Sequence, residues 1–66
     1  SRLQCVVRLL QTDTQLALVA VNHTCSYLEV CAQFSPSCLQ NAEAVTLSVP
    51  ASDGAYILLD RCAEGE

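Results

Sequence analysis

The chain has 66 residues, which is enough for one small domain over residues 1–66, complete in itself or an excerpt or repeat of a larger protein. The net charge is −4 and the only cations are three arginines, which argues against binding to nucleic acid or to anionic lipid. The longest apolar run covers residues 16–21. A membrane-spanning helix needs roughly 20 apolar residues, so we expect no membrane insertion by this segment.

The chain is unusually apolar for its size. Hydrophobic residues make up 52% of it and charged residues 15%, which is too apolar for a disordered segment. A domain this small buries only about 60% of the surface of its unfolded chain, so a staple or a partner is expected to add stability. We therefore expect part of the apolar surface to meet another chain or domain.

Alternation of apolar and polar residues with a period of two recurs along the chain and predicts short strands. In chain order the predicted strands cover residues 2–10, 15–22, 26–34, 44–49 and 55–62. Both faces of the last strand are apolar near its middle. Polar or proline-containing turns separate the strands, and Asp53-Gly54 is expected to supply the positive-φ residue of a tight turn. Helices remain an alternative for residues 2–10 and 38–44.

These elements predict an all-β fold, namely a small antiparallel β-sandwich or partial barrel of about five strands, stapled by disulfides. Five cysteines occur among the 66 residues. They cannot all pair within one chain, so one thiol is expected to be spare. A spare thiol would suit a covalently cross-linked assembly.

The stretch VNHTCSYLEVCAQFSPSC, residues 21–38, raises three alternatives for its His23 and its cysteines. Structural zinc sites use knuckles with Cys-x2-Cys spacing, which the chain lacks, and so we expect no metal. A nucleophilic thiol needs an activating histidine in an enclosed pocket, which a chain this short can hardly form. We expect no catalytic residue, no enzymatic activity and no cofactor. The stapled loop is the remaining alternative, with His23 exposed.

The disulfide interpretation leaves several pairings open. Cys31 and Cys38 flank a proline-containing reversal, and a bridge between them is the first expectation. Cys62 ends the last strand and could pair with Cys5 or with Cys25. Disulfides persist in oxidising compartments, so this interpretation predicts an extracellular or cell-surface protein.

The triplet Asn22-His23-Thr24 is an acceptor sequence for N-glycosylation. It lies at the end of a predicted strand, where the chain enters a loop, and that position is accessible to a glycosylating enzyme. Asn22 and Thr24 are therefore predicted to form a glycosylation site of a secreted glycoprotein. The alternative is that the triplet occurs by chance.

Residues 26–62 resemble β-sandwich domains of the pre-peptidase C-terminal type, which are jelly-roll-like extracellular modules. The resemblance rests on the stretch SYLEV and on the residues Glu43, Val45 to Leu47, Pro50, Gly54 and Tyr56. Five cysteines, and Tyr27 where the family usually has an acidic residue, depart from the pattern. The resemblance implies an accessory extracellular sandwich that binds a polymer or a neighbouring domain, and it supplies no catalytic residues.

Tyr27 and Tyr56 suggest a ligand face. Two coplanar rings could bind carbohydrate if their strands are neighbours, but the residues favour core or interface packing for both tyrosines. The predicted function is that of a non-catalytic structural or adhesive module that self-associates or packs against adjoining domains, as a subunit of a cross-linked assembly or filament. The alternative is a ligand- or carbohydrate-binding ectodomain fragment of a receptor or transporter.

Overall fold

The computed structural model describes residues 4–62 and shows five antiparallel strands. Their bounds are β1 (Cys5–Gln11), β2 (Gln15–Asn22), β3 (Leu28–Gln33), β4 (Ala44–Val49) and β5 (Gly54–Asp60). The predicted all-β fold is confirmed, and both helical alternatives are wrong. Residues 5–11 form a strand, and residues 38–43 lie in the connection between β3 and β4.

The strands form two sheets, one of three strands in the order β1-β2-β5 and one of the pair β3-β4. The chain changes sheet between β2 and β3 and returns between β4 and β5. The second sheet contacts the first through β4, which lies against β5 and β2. Leu39, in the β3–β4 connection, forms a bridge with Arg61 just after β5. The molecule is thus a small sandwich with three strands facing two.

The core lies between the sheets and follows from the pleat of the strands, because alternate side chains point to one face. Leu18 and Ala20 on β2 meet Leu47 and Val49 on β4, and these four are the buried centre. Half-buried apolar side chains from β3, β4 and β5 pack around them, namely Val30, Ala32, Val45, Ala55 and Ile57. The alternation predicted from the sequence therefore corresponds to inward and outward positions.

The two-stranded sheet is too narrow to cover the inner face of β1. Val7 pairs with Ala20 and Leu9 pairs with Leu18, so all four side chains are on the inner face. Yet Val7 is 48% and Leu9 52% exposed, whereas Leu18 is 2% exposed. The inner side of β1 is therefore an apolar strip that the second sheet leaves uncovered.

Asn22, at the end of β2, is fully buried and holds the two sheet-changing connections together. Its Nδ2 donates to the carbonyl oxygens of Ser26 at 2.8 Å, Val49 at 3.1 Å and Pro50 at 3.1 Å. Its Oδ1 accepts from the backbone N–H of Thr24 at 2.9 Å and from the Thr24 hydroxyl at 2.7 Å. One side chain thus makes hydrogen bonds to the backbone of both the β2–β3 loop and the end of β4.

The turn between β4 and β5 differs from the prediction. The positive φ, 56°, belongs to Ser52 rather than to Gly54, which begins β5. The Asp53 carboxylate accepts from the Gly54 N–H at 2.8 Å, and the Ser52 N–H donates to the Thr24 oxygen at 3.0 Å. The contact with the β2–β3 loop therefore supports the left-handed conformation of Ser52.

Replacement of Asn22 by aspartate is expected to destabilise the fold by about 2–5 kcal/mol. The carboxylate has the same shape but no hydrogen to donate, so the carbonyls of Ser26, Val49 and Pro50 would face a buried negative charge. Urea denaturation followed by circular dichroism measures the change. His23→Ala, at an exposed neighbouring position, is the control and is expected to change the free energy of unfolding by less than about 0.5 kcal/mol.

Candidate protein-interaction surface

The outer side of the three-stranded sheet carries a continuous group of apolar side chains. In the register of the sheet, Val6 lies beside Val21, Leu10 lies beside Ala17, and Ala17 lies beside Leu58. The outer apolar face consists of Val6, Leu10, Ala17, Val19, Val21, Tyr56 and Leu58. It spans all three strands and lies opposite to the core.

Several members of the outer apolar face are well exposed. Tyr56 is 68%, Leu58 56% and Leu10 54% exposed. Arg8, beside Val19, and Asp60, beside Gln15 at one end of the sheet, are the charged residues that the strand register places on this side. One positive and one negative charge leave the face locally neutral, although the whole chain carries −4.

The free edge of β1 adjoins this face. The His23 N–H donates to the Gln4 oxygen, and the Thr12 N–H donates to the Gln15 oxygen, each at 2.8 Å. Hydrogen-bonded positions alternate along an antiparallel pair, so even-numbered residues of β1 bond to β2. The backbone groups of the odd-numbered residues of β1 point to the open side of the sheet. No strand of the described chain pairs there.

The outer side of the two-stranded sheet has a different character. Glu29 and Cys31 on β3 lie beside Ser48 and Thr46 on β4. The Tyr27 hydroxyl donates to Glu29 Oε2 at 3.1 Å, and its oxygen lies 3.0 Å from Ser48 Oγ. This polar side is typical of a solvated sheet face, and the contrast marks the outer apolar face as the surface suited to contact with protein.

The structure does not bring the two predicted ligand-face tyrosines together. Tyr56 lies on the outer side of the three-stranded sheet beside Val19. Tyr27 is bonded to the outer side of the other sheet through Ser48. The core separates the two rings, and the ligand face expected from the sequence is therefore not assembled.

The predicted stapling is not supported by the structure. Residues 4–62 include all five cysteines, and each is a free thiol. Cys31 is exposed on β3 with its sulfur 3.6 Å from the Thr46 hydroxyl, and the expected bridge from Cys31 to Cys38 is not formed. Cys25 is exposed and Cys5 half-buried, and neither is bridged to Cys62.

The described residues contain no group of three or more histidine, cysteine or acidic side chains placed to hold a metal ion. They also contain no helix long and apolar enough to cross a membrane. A cleft of about 150 Å³ lies between the β3–β4 connection and β5, lined by Leu39, Asn41, Ala42, Leu58, Leu59 and Asp60. Sites for small organic ligands are usually about 300–1,000 Å³, so this cleft suits at most a few atoms of a partner.

The glycosylation site is the predicted feature whose surroundings differ most from expectation. Asn22 is 0% exposed, and its Nδ2 faces three carbonyl oxygens. A glycan replaces one of the two hydrogens of this nitrogen and needs space outside the protein. Glycosylation stays a prediction, and it requires the connection around Asn22 and Thr24 to open.

Sequence reasoning missed the structural role of this triplet. Asn and Thr two positions apart are also typical of turns in which side chains bond to the local backbone. That signal was present in Asn22 and Thr24 and could have indicated a turn-forming asparagine. The sequence also indicates the outer apolar face, since both sides of the last predicted strand are apolar near its middle.

Comparisons with known proteins give no match: neither a family model, nor a curated protein, nor a solved structure corresponds to the chain. The resemblance to pre-peptidase C-terminal domains therefore stays a prediction. What is inferred about function rests on the residues and the geometry described above.

Substitution of two strand leucines, one in the core and one in the outer apolar face, tests the assignment of the two faces. Leu47 is 7% exposed and Leu58 56% exposed. Leu47→Ala is expected to lower the free energy of unfolding by about 2–5 kcal/mol, because it leaves a cavity between the sheets. Leu58→Ala is expected to cost less than about 1 kcal/mol in the isolated monomer. Urea denaturation at low protein concentration compares them, and equal losses would contradict the assignment of faces.

Proposed function

We propose that the protein is a non-catalytic structural module that self-associates through the outer apolar face. The observation that carries the proposal is the apolar surface across β1, β2 and β5, interrupted by Arg8 on β1, which folding of this chain leaves exposed. Apolar patches of this kind on small proteins mark interaction surfaces. Its function would be to join copies of the chain into an assembly.

The energetic support comes from burial of the exposed side chains. Complete burial of one leucine or phenylalanine-sized side chain contributes about 1.5–3 kcal/mol. Leu10, Tyr56 and Leu58 are all more than half exposed, and a contact that buries them on both partners doubles the number of buried groups. That gain has to exceed the cost of lost translational and rotational freedom, about 4–15 kcal/mol.

A second copy is the partner that the charges favour. In a two-fold contact both partners use the same face, so the face must be self-complementary. The outer apolar face meets this condition because the two charges on this side of the sheet, Arg8 within β1 and Asp60 at the end of β5, are opposite in sign. The free edge of β1 adds a second route, since paired edge strands join sheets of neighbouring subunits.

An extracellular or cell-surface location belongs to the same proposal. Its support comes from the sequence alone, namely from the five cysteines and the Asn22-His23-Thr24 triplet, since the structure has five free thiols and a buried Asn22. The alternative of a carbohydrate-binding ectodomain has less support, because Tyr27 and Tyr56 lie on opposite sides of the sandwich. Packing against an adjoining domain would use the same face, and sedimentation of the isolated chain distinguishes it from self-association.

Sedimentation velocity over a series of protein concentrations tests self-association. The reduced wild-type chain is expected to shift from monomer to dimer or larger species as concentration rises. Leu58→Glu places a charge in the outer apolar face and is expected to weaken association by at least about tenfold. Thr46→Glu, at an exposed position of the other sheet, is the matched control and is expected to associate like the wild type.

Two results would contradict the proposal. A wild-type chain that stays monomeric at every concentration would indicate that the face packs against an adjoining domain or a different protein. Equal weakening by Leu58→Glu and Thr46→Glu would show that added negative charge, rather than loss of the face, is the cause. Circular dichroism of both variants confirms that they are folded.

A further inference from the structure

Cys38 and Cys62 are brought together by the contact between the β3–β4 connection and the chain just after β5. Leu39 and Arg61 form an antiparallel bridge, so the residues on either side of it continue the pairing and Cys38 lies opposite Cys62. The Cys62 N–H donates to the Cys38 oxygen at 3.0 Å. The sequence alone does not indicate this pair, because Leu39 and Arg61 follow strands of different sheets.

The placement matches what a disulfide requires. Directly opposite residues of a hydrogen-bonded antiparallel pair have Cα atoms about 5.5 Å apart, and their side chains are on the same face. Disulfides join cysteines whose Cα atoms are about 4.4–6.8 Å apart. The Cys38 N–H donates to Ser35 instead of returning a bond to Cys62, so one hydrogen bond holds the pair and small adjustments of the backbone are allowed.

The remaining cysteines have other neighbours in the register. Cys5 lies opposite Asn22, and Cys31 lies opposite Thr46. Cys25 is exposed in the loop after β2. Cys38 and Cys62 are both half-buried, and they are the two cysteines that strand pairing places side by side in the described chain.

We propose that Cys38 and Cys62 form a reversible disulfide that fastens the β3–β4 connection to the end of β5. The oxidant is a small disulfide such as oxidised glutathione. One cysteine thiolate attacks it, forms a mixed disulfide and releases one glutathione thiol. The second cysteine thiolate attacks the protein sulfur of the mixed disulfide and releases another. Two protein thiols are oxidised, one glutathione disulfide is reduced to two thiols, and the two protons pass to these products.

The bond would act on the open edge of β5. Gln40 already covers the C-terminal end of that edge, since its N–H donates to the Asp60 oxygen at 3.1 Å and its Nε2 donates to the Arg61 oxygen at 3.1 Å. A bridge between Cys38 and Cys62 would fix this cover in place and link the two sheets covalently. Strand addition over the C-terminal end of β5 would then be blocked, whereas within the described residues β1 would stay open along its whole length.

The test uses the full chain carrying Cys31→Ser, because cleavage after Glu29, Glu43 and Arg61 then leaves Cys38 as the single cysteine of residues 30–43. The reduced protein is incubated with oxidised glutathione at several ratios to the reduced form, trapped with acid and mapped without reduction. The expected product has lost about 2 Da and contains residues 30–43 joined to the peptide that begins at Cys62.

Two controls separate the fold from chance pairing. In concentrated guanidinium the same exposure to glutathione is expected to form this pair at least about tenfold less, since unfolding removes the proximity of the two thiols. Cys62→Ser is expected to give a glutathione adduct on Cys38 and no internal bridge there. Linkage of Cys62 to Cys5 or Cys25 in the folded protein, or equal yields with and without denaturant, would overturn the proposal.

Discussion

The burial of one amide side chain is the constraint on which the arrangement of the sheets depends. The chain changes sheet twice at the same end of the sandwich, once after β2 and once after β4. Asn22 donates to three backbone carbonyls at these two places and accepts two hydrogen bonds from Thr24. A buried polar group is costly unless it is satisfied, so this network favours one relative placement of the two connections.

The unequal widths of the sheets explain the distribution of apolar surface. Two strands cannot cover three, and β1 keeps its inner side chains Val7 and Leu9 about half exposed. On the other side, the outer apolar face extends from β1 to β5. The three-stranded sheet is therefore apolar on both sides, which is typical of a sheet buried on both faces, whereas the two-stranded sheet has the polar outer side of a solvated one.

The strands could be predicted from local alternation because the period of two is a property of each segment alone. The same reasoning could not assign strands to sheets, and for that reason the sequence left open whether Tyr27 and Tyr56 share one face. It also could not foresee that Leu39 would reach Arg61, which decides the neighbour of Cys38. Residue type predicts the positive φ at Gly54, whereas the structure has it at Ser52, whose backbone N–H donates to the Thr24 oxygen.

The alternation of hydrogen bonds along β1 has a consequence for selectivity. The backbone groups that point to the open edge belong to odd-numbered residues, and the side chains of Val7 and Leu9 at these positions point to the uncovered inner side. An added strand would therefore be selected by two interactions. Its backbone would bond to the open edge, and its side chains would contact Val7 and Leu9. A shift of one residue in the pairing register would exchange the apolar and polar sides of the added strand. The edge would therefore discriminate among extended segments by the positions of their alternating apolar residues.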